Sequence, residues 1–412
     1  MSRVASPLAL SVVMCLAEIA GMAGFATFAG QLPVFMDAWS ISNTEAGWIN
    51  GIYFAGYMLA VPVLVSLTDR VPPKRIYILS MALSGLASLG FAFLAEGFWT
   101  ALLFRTLAGI GLAGTYMPGL KLLSDYVEGP LQSRAVAFYT ASFSIGAALS
   151  FFMTGEIAAL FDWRMAFAIA AAGPLLALVL TAPLLPREHP ENHQKPDTHL
   201  LDFRPVLKCR QAMGYVLAYA AHNYELFTLR TWVVAYVVFA AALRPSVESF
   251  YSATVLATAV TLMGVPASIL GNEFSARFNR NKVITRVMLA SGALAVIIGF
   301  TGGNVPMWLL GLLFLFYGVT VTADSASLTA GVIAAAPKGY RGATMAVHAS
   351  IGFSGAFLGP LVFGVVLDVA GAPASGGESV LPWAAAFAIT GAVVALGPAA
   401  LKWAAKTNGA DS

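Results

Sequence analysis

The chain has 412 residues, 58% of them hydrophobic and only 10% charged, with a mean hydropathy of +0.78 and a formal net charge of +3. Soluble domains carry roughly 25% charged residues, so this composition excludes a water-soluble enzyme. The small net charge and scattered basic residues exclude a nucleic-acid partner, and two cysteines, Cys15 in an apolar segment and Cys209 in a polar one, make no disulfide framework.

At about 20 apolar residues per bilayer-crossing helix, a dozen spans use roughly 240 residues and leave the rest for loops and helix extensions. The N-terminus places Arg3 before an apolar stretch from about Pro7 to Val34 with Glu18 in its middle. That stretch exceeds the ~7 to 15 residues of a signal-peptide core, so it reads as a retained first span.

Apolar segments then follow in order. The first six cover about 8–34, 47–67, 76–95, 98–120, 135–160 and 165–185. The second six cover about 212–240, 249–271, 283–303, 306–336, 342–367 and 380–401. Between them Pro186–Arg210 is polar, with prolines, charges and His189, His193 and His199, and reads as a solvated linker without a metal-ligand pattern. The expected plan is an all-α integral membrane protein of twelve helices: a six-helix half at 1–185, a linker at 186–210 and a second half at 211–412.

Of the 23 Lys and Arg residues, 19 fall on one side when loops are assigned alternately, two (Arg164 and Arg244) on the other, and two (Arg105 and Arg230) inside spans. The positive-inside rule then places both termini and the linker in the cytoplasm of a multi-pass plasma (inner) membrane protein. A span count wrong by one would scramble that asymmetry.

A shift of 207 residues superimposes Glu18 on Glu225, Arg70 on Arg277, Arg75 on Lys282, Gly111 on Gly318, Thr115 on Thr322 and Arg134 on Arg341. Six spans per repeat give both halves one orientation, as in parallel repeats about the membrane normal.

The loop after the second span reads Asp69-Arg70-Val71-Pro72-Pro73-Lys74-Arg75, and the fourth span opens Arg105-Thr106-Leu107-Ala108-Gly109-Ile110-Gly111 and runs on to Gly114 and Pro118. With the two-repeat plan, these resemble the major facilitator superfamily of secondary transporters over essentially the whole chain. Val65 and Pro72 stand where members usually carry glycine. The fifth span has Gly146 without the Gly-Pro signature associated with antiport, whereas Gly355-Ala-Phe-Leu-Gly359-Pro360 occurs in the eleventh. The resemblance implies a gating role for Asp69 and Arg70. Physically, an Asp at a helix end can accept bonds from a neighbouring helix N-terminus beside countercharges from Arg75 and Arg134, with Arg277 and Arg341 as their repeat mates. The plainer reading of the basic residues is that they satisfy the positive-inside rule.

Six charged residues fall within apolar segments: Glu18, Arg105, Glu156, Glu225, Arg230 and Asp324. Each costs about 2.5 to 3.5 kcal/mol at a helix centre, so a partner or a watered cavity is expected for the deep ones. Glu18 and Glu225 lie at repeat-equivalent positions near mid-membrane depth, where this architecture binds substrates and coupling ions. With Asp324 and His222 they are the candidate proton carriers, the alternative being satisfied interhelical hydrogen bonds. His222, Glu225 and Trp232 share roughly one helix face. Arg105, with Tyr116 further along its face, either binds an anionic group or is countercharge to Glu18 or Asp324; a buried Arg needs a permanent partner, which favours the second. Arg230, whose repeat mate is Ala23, lines the cavity or reaches the outer interface. Tyr317 shares a face with Asp324, Glu156 reads as interfacial, and His348 as a lining or titrating group.

The expected function is secondary transport of a small organic solute, powered by an ion gradient, expected to be of protons, through rocking of two halves about a central site. Efflux of an amphipathic compound and uptake of an organic anion both stay open. A non-transporting sensor and a membrane-embedded enzyme are the rivals from other classes. No phosphate-binding loop or metal cage is present in the sequence pattern, so no cofactor is expected, and the partners are the solute and the bilayer around a monomer.

Overall fold

The computed structural model describes residues 6–68, 71–128, 130–185, 202–244, 251–373 and 377–405. Among them are twelve helices long and apolar enough to cross a membrane: Pro7–Gly24, Asn43–Leu67, Pro73–Leu94, Phe98–Leu123, Arg134–Leu160, Trp163–Thr181, Arg210–Ala242, Ala253–Arg277, Arg280–Gly299, Met307–Ala334, Arg341–Val369 and Leu381–Ala405. They are numbered here as spans one to twelve. The chain is therefore an all-helical, multi-pass membrane protein. Exposed Leu79, Leu86 and Phe93 recur every seven residues along the third span, a lipid-facing stripe.

The chain forms two compact units. One comprises Met1–Phe28 with Ile52–Leu201, the other Ala29–Gly51 with Asp202–Ser412. The segment 29–51, expected within the first half, thus clusters with the C-terminal helices. Of the expected linker at 186–210, residues 186–201 lie outside the described residues, and Arg204–Lys208 forms a short helix.

Two spans that read as continuous in sequence are broken. The first runs as an α-helix over Pro7–Gly21, tightens to a 3-10 turn at Met22–Gly24, and resumes as short helices at Thr27–Gly30 and Leu32–Trp39. The freed backbone groups are satisfied by side chains, as a bilayer interior requires: Ser150 accepts from the Ala26 N–H at 2.9 Å and donates to the Ala23 carbonyl at 2.6 Å. The tenth span ends its first helix at Thr322 and restarts at Ser325, so Asp324 stands in the break rather than within a turn of helix.

The second span begins at Asn43, four residues before its apolar run suggests. Four N–H groups at a helix start lack intrahelical acceptors, and here the N–H groups around that start all find one. Ser42 Oγ accepts from Glu45 N at 3.1 Å and Glu45 Oε2 accepts from Ser42 N at 2.8 Å, a capping box. The Asp368 carboxylate, from the end of the eleventh span, accepts from Asn43 N at 3.1 Å and Thr44 N at 2.8 Å, and from the Asn43 amide at 2.7 Å. Lys74 does the converse in the first unit. Its ammonium donates to the Ala182 and Leu185 carbonyls at 2.6 and 2.8 Å, where the sixth span ends.

Glycines set how closely spans cross. At Gly355 and Gly359 the eleventh span meets the seventh at the backbones of Ala220 and Tyr224, and an added methyl group at either would overlap a carbonyl oxygen. The Gly-Ala-Phe-Leu-Gly-Pro run therefore brings the seventh and eleventh spans together.

Candidate functional site

In the first unit, Glu18 is 1% exposed on the first span. Tyr139 from the fifth span donates to its Oε2 at 3.0 Å, while Oε1 has no hydrogen-bond partner among the described residues. Tyr116 stacks on Tyr139 with centroids 5.8 Å apart, which braces the donor ring. Arg105 lies beside the break in the first span. Its guanidinium is 4.4 Å from the Tyr53 ring centroid and 6.0 Å from that of Phe28, and it donates to the Phe25 carbonyl at 3.5 Å. The contacts found for Arg105 are thus aromatic faces and a freed carbonyl, both of which stabilise a desolvated cation. Gly109, one turn further along, is what allows the Tyr53 backbone this close to the fourth span.

In the second unit the seventh span, Arg210–Ala242, is the most thoroughly buried of the twelve. Its polar residues reach three neighbours. His222 Nδ1 is 2.8 Å from Asp324 Oδ1, an ion-pair distance without hydrogen-bond alignment. Glu225 Oε1 accepts from Ser291 of the ninth span at 2.8 Å, and the Tyr317 hydroxyl and Asp324 both interact with the same carboxylate. Trp232 donates to the Pro360 carbonyl at 3.1 Å and stacks on Phe363, so it packs in an aromatic cluster with Trp383. Tyr219 stacks between His222, at 5.5 Å, and His348, at 4.0 Å, joining the two imidazoles through one ring.

Arg230 is 7% exposed and makes no hydrogen bond or ion pair among the described residues; its contact is with the Phe227 ring, 5.4 Å from the guanidinium carbon. A buried arginine without a carboxylate is costly.

The structure therefore brings Asp324, His222, Glu225 and Tyr317 into one cluster and places Glu18, Tyr116 and Arg105 in the other unit. Asp69 and Arg70 lie outside the described residues. Arg75, Arg134, Arg277 and Arg341 are exposed and form no ion pair among the described residues, and Glu156 is exposed as an interfacial residue would be. Sequence reasoning missed Tyr139, Ser291, Tyr219, Asn223 and Asp368. Only the four-residue spacing of Tyr219, Asn223 and Phe227 along a helix already carrying Arg230 offered a signal in advance.

A family model described as the Major Facilitator Superfamily matches residues 14–360. The chain is 22% identical over 371 residues to the 4-hydroxybenzoate transporter PcaK of Acinetobacter baylyi, covering 81% of this chain and 79% of that protein. It is 25% identical over 306 residues to the hexuronate transporter of Bacillus subtilis, covering 69% and 71%. Among solved structures, a bacterial homologue of the human lysosomal transporter spinster, in an inward-facing, unoccupied conformation, superimposes with a TM-score of 0.74 at 16% identity, covering 97% of this chain and 95% of that one. That likeness shows the fold. The proteins matched are transporters rather than enzymes, and on twelve spans and a match that extends over most of its length, the chain belongs to the major facilitator superfamily.

Proposed function

We propose that the chain is a proton-coupled symporter of a small organic anion, with His222, Asp324 and Glu225 exchanging the proton and Arg230 holding the anion. The observation that carries this reading is Arg230 itself: a buried cation without a carboxylate, on the same helix as a buried cluster of titratable groups. An incoming anion supplies Arg230 with a local countercharge, and a proton taken up by the carboxylate cluster balances the anion's charge, so that loading leaves the protein's net charge unchanged. Glu18, with one oxygen unpartnered, is the equivalent group of the other unit and acts in the same cycle. Two relatives favour an anion, since hydroxybenzoate and hexuronate are both carboxylates. The distribution of Lys and Arg supports an inner-membrane orientation with both termini in the cytoplasm.

The test is uptake into proteoliposomes of labelled 4-hydroxybenzoate and glucuronate under an imposed pH gradient, acid outside. Accumulation of either that collapses with a protonophore is expected. Asp324→Asn and Glu225→Gln should keep solute exchange between the two sides while losing accumulation. Gradient-independent equilibration by the parent protein, or full accumulation by the Asp324→Asn, Glu225→Gln double variant, would remove the proton assignment.

A further inference from the structure

Tyr219, Asn223, Phe227 and Arg230 follow one another at spacings of four, four and three, and so form one stripe along the seventh span. Side chains on a helix lean toward its N-terminus, and Arg230 does so: its guanidinium lies over Phe227, one turn back, and interacts as far as Tyr219. The eleventh span meets this stripe with a glycine and a ring. The glycine is Gly352, on whose backbone the Tyr219 ring packs so closely that a methyl group there would strike it, and would stand 3.3 Å from the Asn223 amide nitrogen. The ring is Phe353, centred 5.7 Å from Phe227.

Two polar groups on the stripe are under-satisfied among the described residues. Arg230 Nε is buried without an acceptor, and Asn223 Nδ2 is buried with no well-aligned one, the Tyr219 hydroxyl being the group that interacts with its side chain. Both are donors, and buried donors are normally satisfied. Their Cα atoms are separated by seven residues, or about 10.5 Å of helix rise, and the backward lean of Arg230 shortens the interval between the side-chain donors. The surfaces between are aromatic: the rings of Phe227 and, from the eleventh span, Phe353.

We infer that this stripe is the binding subsite for a single-ring aromatic monocarboxylate, with the carboxylate on Arg230, the ring against Phe227 and Phe353, and the far edge of the ring toward the Asn223 amide. The inference rests on the anion reading above and narrows it. A guanidinium fork fits a carboxylate in a way a neutral amide cannot reproduce. Aromatic faces prefer a flat ring to a puckered one of equal size.

The experiment is calorimetric titration of the purified full-length protein in detergent with benzoate, benzamide, cyclohexanecarboxylate and para-substituted benzoates. Benzoate should bind, with benzamide and cyclohexanecarboxylate each weaker. Arg230→Gln should weaken benzoate on the order of 10- to 100-fold while leaving benzamide nearly unchanged. Arg230→Lys, which keeps the charge without the fork, should fall between. Asn223→Ala should leave benzoate binding alone and abolish any gain from an acceptor at the para position. The comparison of the three ligands on the parent protein needs no variant and so survives a folding defect in any of them. Equal affinity for benzoate and benzamide, or an Arg230→Gln protein that binds benzoate like its parent, overturns the site. Equal affinity for cyclohexanecarboxylate and benzoate overturns the aromatic assignment alone. Proton-driven accumulation of a sugar acid by a protein that binds no benzoate would refute this subsite and leave the symporter reading standing.

Discussion

Replacing Asp368 tests whether a carboxylate at the end of one span holds the start of another. Asp368→Ala removes the acceptor for the Asn43 and Thr44 N–H groups and for the Asn43 amide, and leaves the Ser42–Glu45 box intact. Loss of a capping acceptor costs about 0.5 to 2 kcal/mol, and loss of the negative charge beside a helix N-terminus adds about 0.3 to 1 kcal/mol. Asp368 is partly exposed, so water replaces some of both, and about 1 to 2 kcal/mol is the expected net cost. That energy is local. In hydrogen–deuterium exchange it corresponds to roughly 5- to 30-fold faster exchange of the amides at 43–51. Asp368→Asn, which keeps an oxygen acceptor without the charge, should give a smaller acceleration. Glu45→Ala breaks the two bonds its Oε2 accepts, from Ser42 N and Ser42 Oγ, but Ser42 Oγ still accepts from the N–H of residue 45, and the change should have the least effect of the three. If Asp368→Ala leaves exchange at 43–51 unchanged, or accelerates the sixth span, Trp163–Thr181, to the same degree, the carboxylate does not hold this helix start.

Further outcomes follow from other contacts. Tyr139→Phe removes the phenolic donor to Glu18 and should lower the melting temperature by the equivalent of about 1 to 3 kcal/mol; a double-mutant cycle with Glu18→Gln should show coupling above about 0.5 kcal/mol, and strict additivity would mean the bond contributes nothing. Lys74→Met leaves the Ala182 and Leu185 carbonyls without their ammonium, so exchange at 178–185 should rise about 2- to 5-fold, and no change there would refute the cap. Gly355→Ala forces a methyl group onto the Ala220 carbonyl and should destabilise by about 1 to 3 kcal/mol. Gly342→Ala, where nothing stands within 4 Å, should melt at or slightly above the parent temperature; equal losses at both positions would refute the packing argument.

The span count, the all-helical class and the family were legible because the bilayer imposes length and hydropathy on every crossing helix. Helix starts were less so. The second span was expected from about residue 47, where the apolar run begins, although Ser42-Asn43-Thr44-Glu45 spells a capping box that begins the helix earlier. The breaks at Met22–Gly24 and at Asp324 could not be read, since neither contains proline and both are made tolerable by residues far away in sequence. Ser150 satisfies the first. His222 faces the second. The partners of the buried charges were illegible for the same reason: helical spacing says which residues share a face, and says nothing about which helix that face meets. His222, Glu225 and Trp232 were expected to act on one face, yet they reach the tenth, ninth and eleventh spans respectively.

The internal repeat sharpens that lesson. Glu18 and Glu225 are superimposed by the 207-residue shift and are equally buried, but their donors are not equivalent. Glu18 takes its hydrogen bond from Tyr139 in the fifth span and Glu225 from Ser291 in the ninth. Their surroundings differ further. Glu225 shares its cluster with a second carboxylate, Asp324, and through it with an imidazole, whereas the bond from Tyr139 and unpartnered Oε1 leave Glu18 half-satisfied. Two acids close together in a low-dielectric interior cannot both ionise cheaply, so under the proposed coupling the cluster where two carboxylates meet is the more sensitive of the two sites. Exchange of proton for gradient work should therefore be more sensitive to Asp324→Asn than to Glu18→Gln when accumulation is measured in the same proteoliposomes. The opposite ranking would move the coupling site to the first unit and make the cluster on the seventh span a structural one.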